Sequence, residues 1–141
     1  MPEGRGATVL AFDFGLQRIG VAVGEAELGT AHPLAPIAAP GFDSISRLIS
    51  EWRPSRLVVG LPVAANGEHP LAKRVERFAR QLEGRFALPV VMVDERWTTQ
   101  DAQVALDEAG TTGRKGKAVR DQVAAQLILQ RWFDERPDRD S

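Results

Sequence analysis

The sequence Thr8-Val-Leu-Ala-Phe-Asp-Phe-Gly15 has the pattern of a buried β-strand, and a single acid, Asp13, interrupts its apolar run. A second apolar run, residues 19–24, follows after a short link, which predicts a β-hairpin. A third run, residues 30–38, contains Pro33 and Pro36. Because proline has no N–H to donate to a neighbouring strand, this third strand is predicted to lie at an edge of the sheet.

The middle of the chain alternates between helical and strand patterns. From residue 42, apolar residues recur at helical spacing, which predicts a short amphipathic helix that ends at Pro54. Residues 56–62 form an apolar run without alternation, as expected of a parallel strand that is covered on both faces. A helix over residues 71–84, closed by Gly84, and a further buried strand over residues 88–93 follow.

The last third of the chain predicts two helices separated by a loop. Thr98 and Asp101 resemble a capping box at the start of a helix that ends at Gly110. Residues 110–117 are rich in glycine and basic side chains, which is typical of a mobile loop, and a closing helix over residues 123–133 follows. This order of elements predicts an α/β fold: a mixed five-stranded sheet, with three antiparallel and then two parallel strands, and helices on both faces.

The composition limits both the number of domains and the kind of chemistry. With 141 residues, of which 43% are apolar, the chain is expected to form one globular domain over residues 1–141, with a core at about residues 8–133. The absence of cysteine excludes a disulfide scaffold, a cysteine nucleophile and a zinc ribbon, and two isolated histidines make a histidine metal site implausible. Any metal is therefore expected to be held by carboxylates.

Charge and hydropathy bear on the partners and on the location of the protein. No apolar run approaches the roughly 18 residues that a membrane span requires, so a cytoplasmic protein is expected. The 18 basic and 19 acidic residues give a formal net charge of -1. Because this balance provides no general attraction to nucleic acid, any such partner has to be met by a local basic patch.

Three acidic positions do not fit the usual solvated helix surface. Asp13 interrupts the first strand, Asp94-Glu95 terminates the last strand, and Asp121 lies at the start of the closing helix. Ligands of a parallel sheet bind beyond the carboxyl ends of its strands, where Asp13 and Glu95 are expected. Several carboxylates at one place repel each other unless a cation neutralises them, and oxygen ligands without histidine or cysteine favour Mg²⁺ or Mn²⁺.

Each acid also has a simpler structural interpretation. Asp13 could cap a turn with Gly15, and Asp121 could favour the start of a helix through the helix dipole. Glu95 could pair with Arg96 or Arg131. The hypothesis of a metal site rests on the three acids taken together in this order of elements.

Four short motifs resemble those of one known family, the YqgF-type proteins. These proteins are described as pre-16S ribosomal RNA nucleases or as Holliday-junction-resolvase-like nucleases, and they have the ribonuclease-H-like fold. The resemblance extends from about residue 8 to residue 133. The matching segments are residues 11–15 with 18–23, residues 58–62 with Asn66-Gly67, Asp94-Glu-Arg96 with Thr98-Thr99, and Lys115-Gly-Lys117 followed by Asp121 and Ala124-Ala125.

The resemblance implies a metal-dependent endonuclease that hydrolyses phosphodiesters. Asp13, Glu95 and Asp121 then become the catalytic and metal-binding acids, with Mg²⁺ or Mn²⁺ as the cofactor. It also implies that the substrate is the 5′ end of precursor 16S rRNA in ribosome biogenesis, within pre-ribosomal particles; a DNA Holliday junction is the alternative. RNA is expected rather than DNA, and the oligomeric state is left open.

Basic side chains near these acids are expected to contact the nucleic-acid backbone. They are Arg96, which is next to Glu95, and the loop cations Arg114, Lys115 and Lys117, for which a solvated turn is the alternative interpretation. A second basic stretch is typical of the solvent face of an amphipathic helix instead. It comprises Lys73, Arg74, Arg77, Arg80 and Arg85.

Two other functional classes compete with the nuclease. Asp13-Phe-Gly15 followed by a hairpin also resembles the first phosphate loop of the actin and sugar-kinase superfamily, but those proteins enclose ATP between two such domains. A non-catalytic adaptor on the same scaffold is the third candidate, because fold alone does not determine function.

Overall fold

The computed structural model describes residues 7–62, 70–94 and 113–135, with the side chains of the last segment described from Val123. None of the helices in these segments is long and apolar enough to cross a membrane. The strands are β1 (Thr8–Asp13), β2 (Arg18–Glu25), β3 (Thr30–Ala38), β4 (Arg56–Leu61) and β5 (Val90–Asp94). The helices are α1 (Phe42–Trp52), α2 (Ala72–Phe86) and α3 (Gly113–Glu135).

The five strands form one mixed sheet in the order β3-β2-β1-β4-β5. Strand β1 pairs antiparallel with β2, and β2 pairs antiparallel with β3, whereas β4 and β5 continue the sheet in parallel with β1. This arrangement confirms the predicted fold class. Strand β3 lies at the edge of the sheet, as its two prolines predict.

Alternation along β1 divides the core into two layers. Leu10 and Phe12 are fully buried on the face that packs against α1 and α2, where the ring of Phe12 meets that of Phe78 edge to face at 6.3 Å between centroids. Val9 and Ala11 are buried on the opposite face, against α3. Successive side chains of a strand point to opposite faces, so an apolar run without alternation requires helices on both sides of the sheet.

Glutamine side chains fix the direction in which α3 crosses the sheet. Gln130 accepts a hydrogen bond from the Ala31 N–H (3.1 Å) and donates one to the Gly29 carbonyl (2.7 Å), and Gln126 donates to the Ala31 carbonyl (3.2 Å). Phe133 lies against Gly24, which pairs with Val9 at the beginning of β1. The last turns of α3 therefore lie at the start of β1, and its earlier turns extend towards the end of β1, over Ala11.

Two predicted boundaries are wrong. Helix α2 continues past Gly84 to Phe86 and ends at Ala87, which adopts the left-handed conformation (φ 56°) and donates its N–H to the Glu83 carbonyl. Residues 113–117, predicted as loop, are the first turns of α3, because the closing helix is longer than its apolar stripe and the cations are good helix formers. The helix predicted up to Gly110 lies outside the described residues.

Candidate active site

Asp13 is the last residue of β1, the middle strand of the sheet, and its side chain is half-buried. Strand alternation places it on the same face as Val9 and Ala11, the face covered by α3. Its partner on β2 is Gly20. On the other side, Phe12 pairs with Val59, so the next residue of β4 beside Asp13 is Gly60. Glycine on both neighbouring strands means that neither strand presents a side chain beside Asp13.

The strand end that precedes Glu95 lies at the same edge of the sheet as Asp13. Strands β1, β4 and β5 are parallel, and Asp94, the last residue of β5, pairs with Leu61 at the end of β4. Val93 is buried on the α3 face, so alternation assigns Asp94 to the other face. Glu95 and Arg96 themselves lie outside the described residues.

The backbone of α3 places position 121 on the side of the helix that meets the sheet. Asp121 precedes Ala125 by four residues and Ile128 by seven, and both of these residues are fully buried. Residues at such intervals share one face of a helix. Position 121 therefore lies on the face of α3 that meets the sheet, and the described side chains of this helix begin at Val123.

Helix and strand lengths also place position 121 near the end of β1. From Phe133 back to residue 121, α3 extends about 18 Å, and from Val9 to Asp13, β1 extends about 13 Å. Because Phe133 lies at the level of Val9, position 121 is level with Asp13 or slightly beyond it. The preceding turns, which carry Arg114, Lys115 and Lys117, extend about another 12 Å.

No group of three or more His, Cys, Asp or Glu side chains that could hold a metal ion occurs within residues 7–62, 70–94 and 123–135. Of the three predicted metal ligands, Asp13 is the one with a described side chain. Asp13 and position 121 of α3 lie towards the same edge of the sheet, where β5 ends at Asp94, and position 95 lies outside the described residues. The ligand set itself stays a prediction.

Sequence reasoning missed the glycines that flank Asp13 on the neighbouring strands. Gly20 and Gly60 are unremarkable in the sequence, since only the register of the sheet shows that they flank the same residue. Gly15 is a further case, in the turn that follows β1. A Cβ atom at Gly15 would collide with the backbone carbonyl of Arg18.

Replacing Gly15 by alanine is expected to destabilise the fold by about 1–3 kcal/mol and to lower activity, because the turn that follows Asp13 has to shift. The matched control is Gly84→Ala. Gly84 lies inside α2 with no atom within 4 Å of an added Cβ, so this change is expected to stabilise the protein by about 0.5–1 kcal/mol. Urea unfolding measures both variants, and equal effects of the two would contradict the assignment of the Gly15 turn.

Curated relatives match most of the chain at high identity. A protein of Nitrosomonas eutropha named "Putative pre-16S rRNA nuclease" is 57% identical over 132 residues, which cover 90% of this chain and 84% of the relative. A protein of Nitrosospira multiformis with the same name is 54% identical, over 92% of this chain and 89% of the relative.

Solved structures and a family model complete the comparison. The chain is similar to T. thermophilus RuvC in complex with a Holliday junction substrate (TM-score 0.55, 18% identity, 92% of this chain and 95% of that one). It is also similar to the fowlpox virus resolvase in complex with Holliday junction DNA (TM-score 0.52, 11% identity, 90% and 97%). Because both identities are low, the likeness concerns the fold alone, and it confirms the predicted ribonuclease-H-like fold.

The family model described as "RuvX: Holliday junction resolvase" matches residues 7–135. The chain therefore belongs to the RuvX family, which confirms the resemblance to YqgF-type proteins inferred from its sequence motifs.

Proposed function

We propose that this chain is a divalent-metal-dependent endonuclease that hydrolyses phosphodiester bonds at the 5′ end of precursor 16S rRNA. The observation that carries the proposal is Asp13, a half-buried acid at the carboxyl end of the central strand, with glycine on both neighbouring strands. The nuclease class rests on family membership and on relatives named as nucleases. The RNA substrate and a role on pre-ribosomal particles in the cytoplasm are the finer parts of the proposal.

The residues at this edge of the sheet fit a hard divalent cation. Asp13, Glu95 and Asp121 would hold it, and they offer only oxygen atoms, the ligands that Mg²⁺ and Mn²⁺ prefer. Glycine at positions 20 and 60 places no side chain on the neighbouring strands beside Asp13, which fits an ion that retains some of its water. When bound, such an ion supplies Lewis-acid stabilisation of the charge that develops on the phosphodiester.

The side chains of this chain have two tasks in the proposed reaction. The fixed position of Asp13 in the central strand orients the reacting centre, since positioning contributes much of the catalysis of phosphoryl transfer. The cations Arg96, Arg114, Lys115 and Lys117 bind phosphates on either side of the cleaved bond. They form a local concentration of positive charge, which a chain with a net charge of -1 needs for contact with nucleic acid.

A Holliday junction is the second candidate substrate. The family model is described as a Holliday junction resolvase, and the solved structures of similar fold include resolvases in complex with junction DNA. The two candidates use the same site and the same chemistry. They differ in the nucleic acid that reaches Asp13.

One assay separates these candidates. The purified protein is incubated with a labelled RNA that carries the 5′ precursor of 16S rRNA, or with a four-way DNA junction, in Mg²⁺, in Mn²⁺ and in EDTA. We expect cutting of the RNA in either metal and a return to background in EDTA, because the carboxylates need a cation to act. Faster cutting of the junction would favour the second candidate.

Two further outcomes contradict the proposal itself. Cutting that survives EDTA would overturn the metal requirement. An absence of cutting on both substrates, together with calorimetric binding of ATP, would favour the nucleotide-binding class instead.

A further inference from the structure

A row of exposed cations lies along the solvent face of α2, and the nuclease site does not use it. Lys73, Arg74, Arg77 and Arg80 are exposed, whereas Val75, Phe78, Ala79 and Leu82 on the other side of the same helix are buried. The four cations line one shallow groove together with Glu76. These four cations therefore lie on a solvent-facing side of the helix, as the sequence predicts.

The charge of this face is not neutralised by the described part of the protein. Residues 73–80 contain four cations and one acid, in a chain whose formal net charge is -1. Within residues 7–62, 70–94 and 123–135, no carboxylate forms an ion pair with any of the four cations, although Glu76 and Glu83 lie on the same helix. Such a local concentration of positive charge attracts phosphates even when the whole chain is nearly neutral.

The position of α2 connects this face to the candidate active site. Helix α2 connects the parallel strands β4 and β5 along the chain. Its first turn is therefore nearest to the edge of the sheet where those strands end. The ring of Phe78 lies 5.0 Å from that of Phe14, the residue that follows Asp13. Lys73 and Arg74 are therefore the cations of this row closest to the edge of the sheet that carries Asp13.

We propose that the α2 face formed by Lys73, Arg74, Arg77 and Arg80 binds the phosphate backbone of the substrate outside the cleaved segment. The row from residue 73 to residue 80 is about 10.5 Å long, which matches about three nucleotides along a duplex. The inference rests on the proposed function, because the occupant it names is the nuclease substrate. It adds a second contact surface, on the side of the sheet opposite to α3.

Binding measurements at several salt concentrations test this surface directly. The variant Arg77→Gln with Arg80→Gln is compared with the native protein on labelled single-stranded RNA, with EDTA present so that the RNA stays intact. Each lost phosphate contact is expected to reduce the slope of log affinity against log salt by about 0.7. When the salt is raised from 50 to 200 mM, the affinity of a variant that lacks two contacts should therefore fall about sevenfold less than that of the native protein.

The matched control removes two exposed cations that belong neither to α2 nor to the predicted nuclease site. Arg47 and Arg53 lie on and just after α1, and Arg53 precedes the start of β4, at the opposite edge of the sheet. The variant Arg47→Gln with Arg53→Asn changes the net charge by the same amount, and asparagine accepts the left-handed conformation of residue 53. We expect this control to keep the native salt slope.

Cleavage assays with long and short substrates separate this inference from the proposed function. On a substrate with long flanks, the Lys73→Gln and Arg74→Gln double variant is expected to raise KM with little change in kcat. On a short oligonucleotide that lacks the flanks, it should match the native protein. A native salt slope and native KM values in both α2 variants would overturn the inference while leaving the nuclease proposal intact. Weaker RNA binding by the α2 variants of a chain that cuts no substrate would support the surface and reject the nuclease.

Discussion

Asp13→Asn is expected to lower the cleavage rate by more than about 100-fold in Mg²⁺ or Mn²⁺, because the neutral amide cannot take part in neutralising a divalent cation. Mutation of a group that only supports a metal ligand typically lowers metal affinity or activity about 10–100-fold. Loss of a ligand itself should lower activity further. Asparagine has nearly the same size as aspartate, and the free energy of unfolding should therefore change by no more than about 1 kcal/mol. Single-turnover cleavage and urea unfolding measure the two quantities on the same preparation.

The matched control is Glu51→Gln, at an exposed acid in the last turn of α1. This change alters the net charge by the same amount, and the last turn of α1 precedes the start of β4, at the edge of the sheet opposite to Asp13, so cleavage should stay within about twofold of the native rate. Undiminished cleavage by the Asp13→Asn protein would remove Asp13 from the site. A large loss of stability in that variant would indicate a structural role instead.

Phe12→Ala is expected to destabilise the fold by about 3–5 kcal/mol, a large part of the roughly 5–15 kcal/mol that stabilises a domain of ordinary size. The Phe12 side chain is fully buried between the sheet and α2, and its ring contacts Phe78 edge to face. Alanine would leave a cavity there that the surrounding side chains fill only in part. Urea unfolding followed by far-UV circular dichroism gives the loss as a shift of the midpoint.

The control for this prediction is Leu28→Ala, at a large apolar side chain that is 73% exposed. Its removal should change the free energy of unfolding by less than about 0.5 kcal/mol. Similar effects of the two substitutions would mean that the layer of the core between β1 and α2 is assigned incorrectly. A Phe12→Ala protein that fails to fold at all would be replaced in the test by Phe12→Leu, for which a smaller loss of the same sign is expected.

The two substitutions act on adjacent residues of one strand but are expected to affect different properties. Phe12 faces α2 and is expected to contribute to stability, whereas Asp13 is on the face covered by α3 and is expected to contribute to activity. Strand alternation accounts for the difference, since neighbouring side chains point to opposite faces. The effect of a change at the end of β1 should therefore depend on which face the residue occupies.

The local sequence was sufficient to predict most elements and the edge position of β3. Helical spacing around Ile45 and the unbroken apolar run of residues 56–62 predicted α1 and β4, and the prolines of β3 predicted an edge strand. The ends of helices were predicted less well, as Gly84 and residues 113–117 show. A helix can continue through a glycine or a basic stretch when the rest of the helix packs against the sheet, and this packing is not encoded in the local pattern.

By itself, the sequence determined which segments are buried, that one acid interrupts the first strand, and which family the motifs resemble. Only the tertiary structure decided that this strand is the central one, with Gly20 and Gly60 beside that acid on the neighbouring strands and with α3 over the same face. It also decided that the first cations of the exposed α2 face lie nearest to the edge of the sheet that carries Asp13. The physical reason is that burial and periodicity are properties of a single segment, whereas register and the meeting of strand ends depend on pairing between segments far apart in the chain.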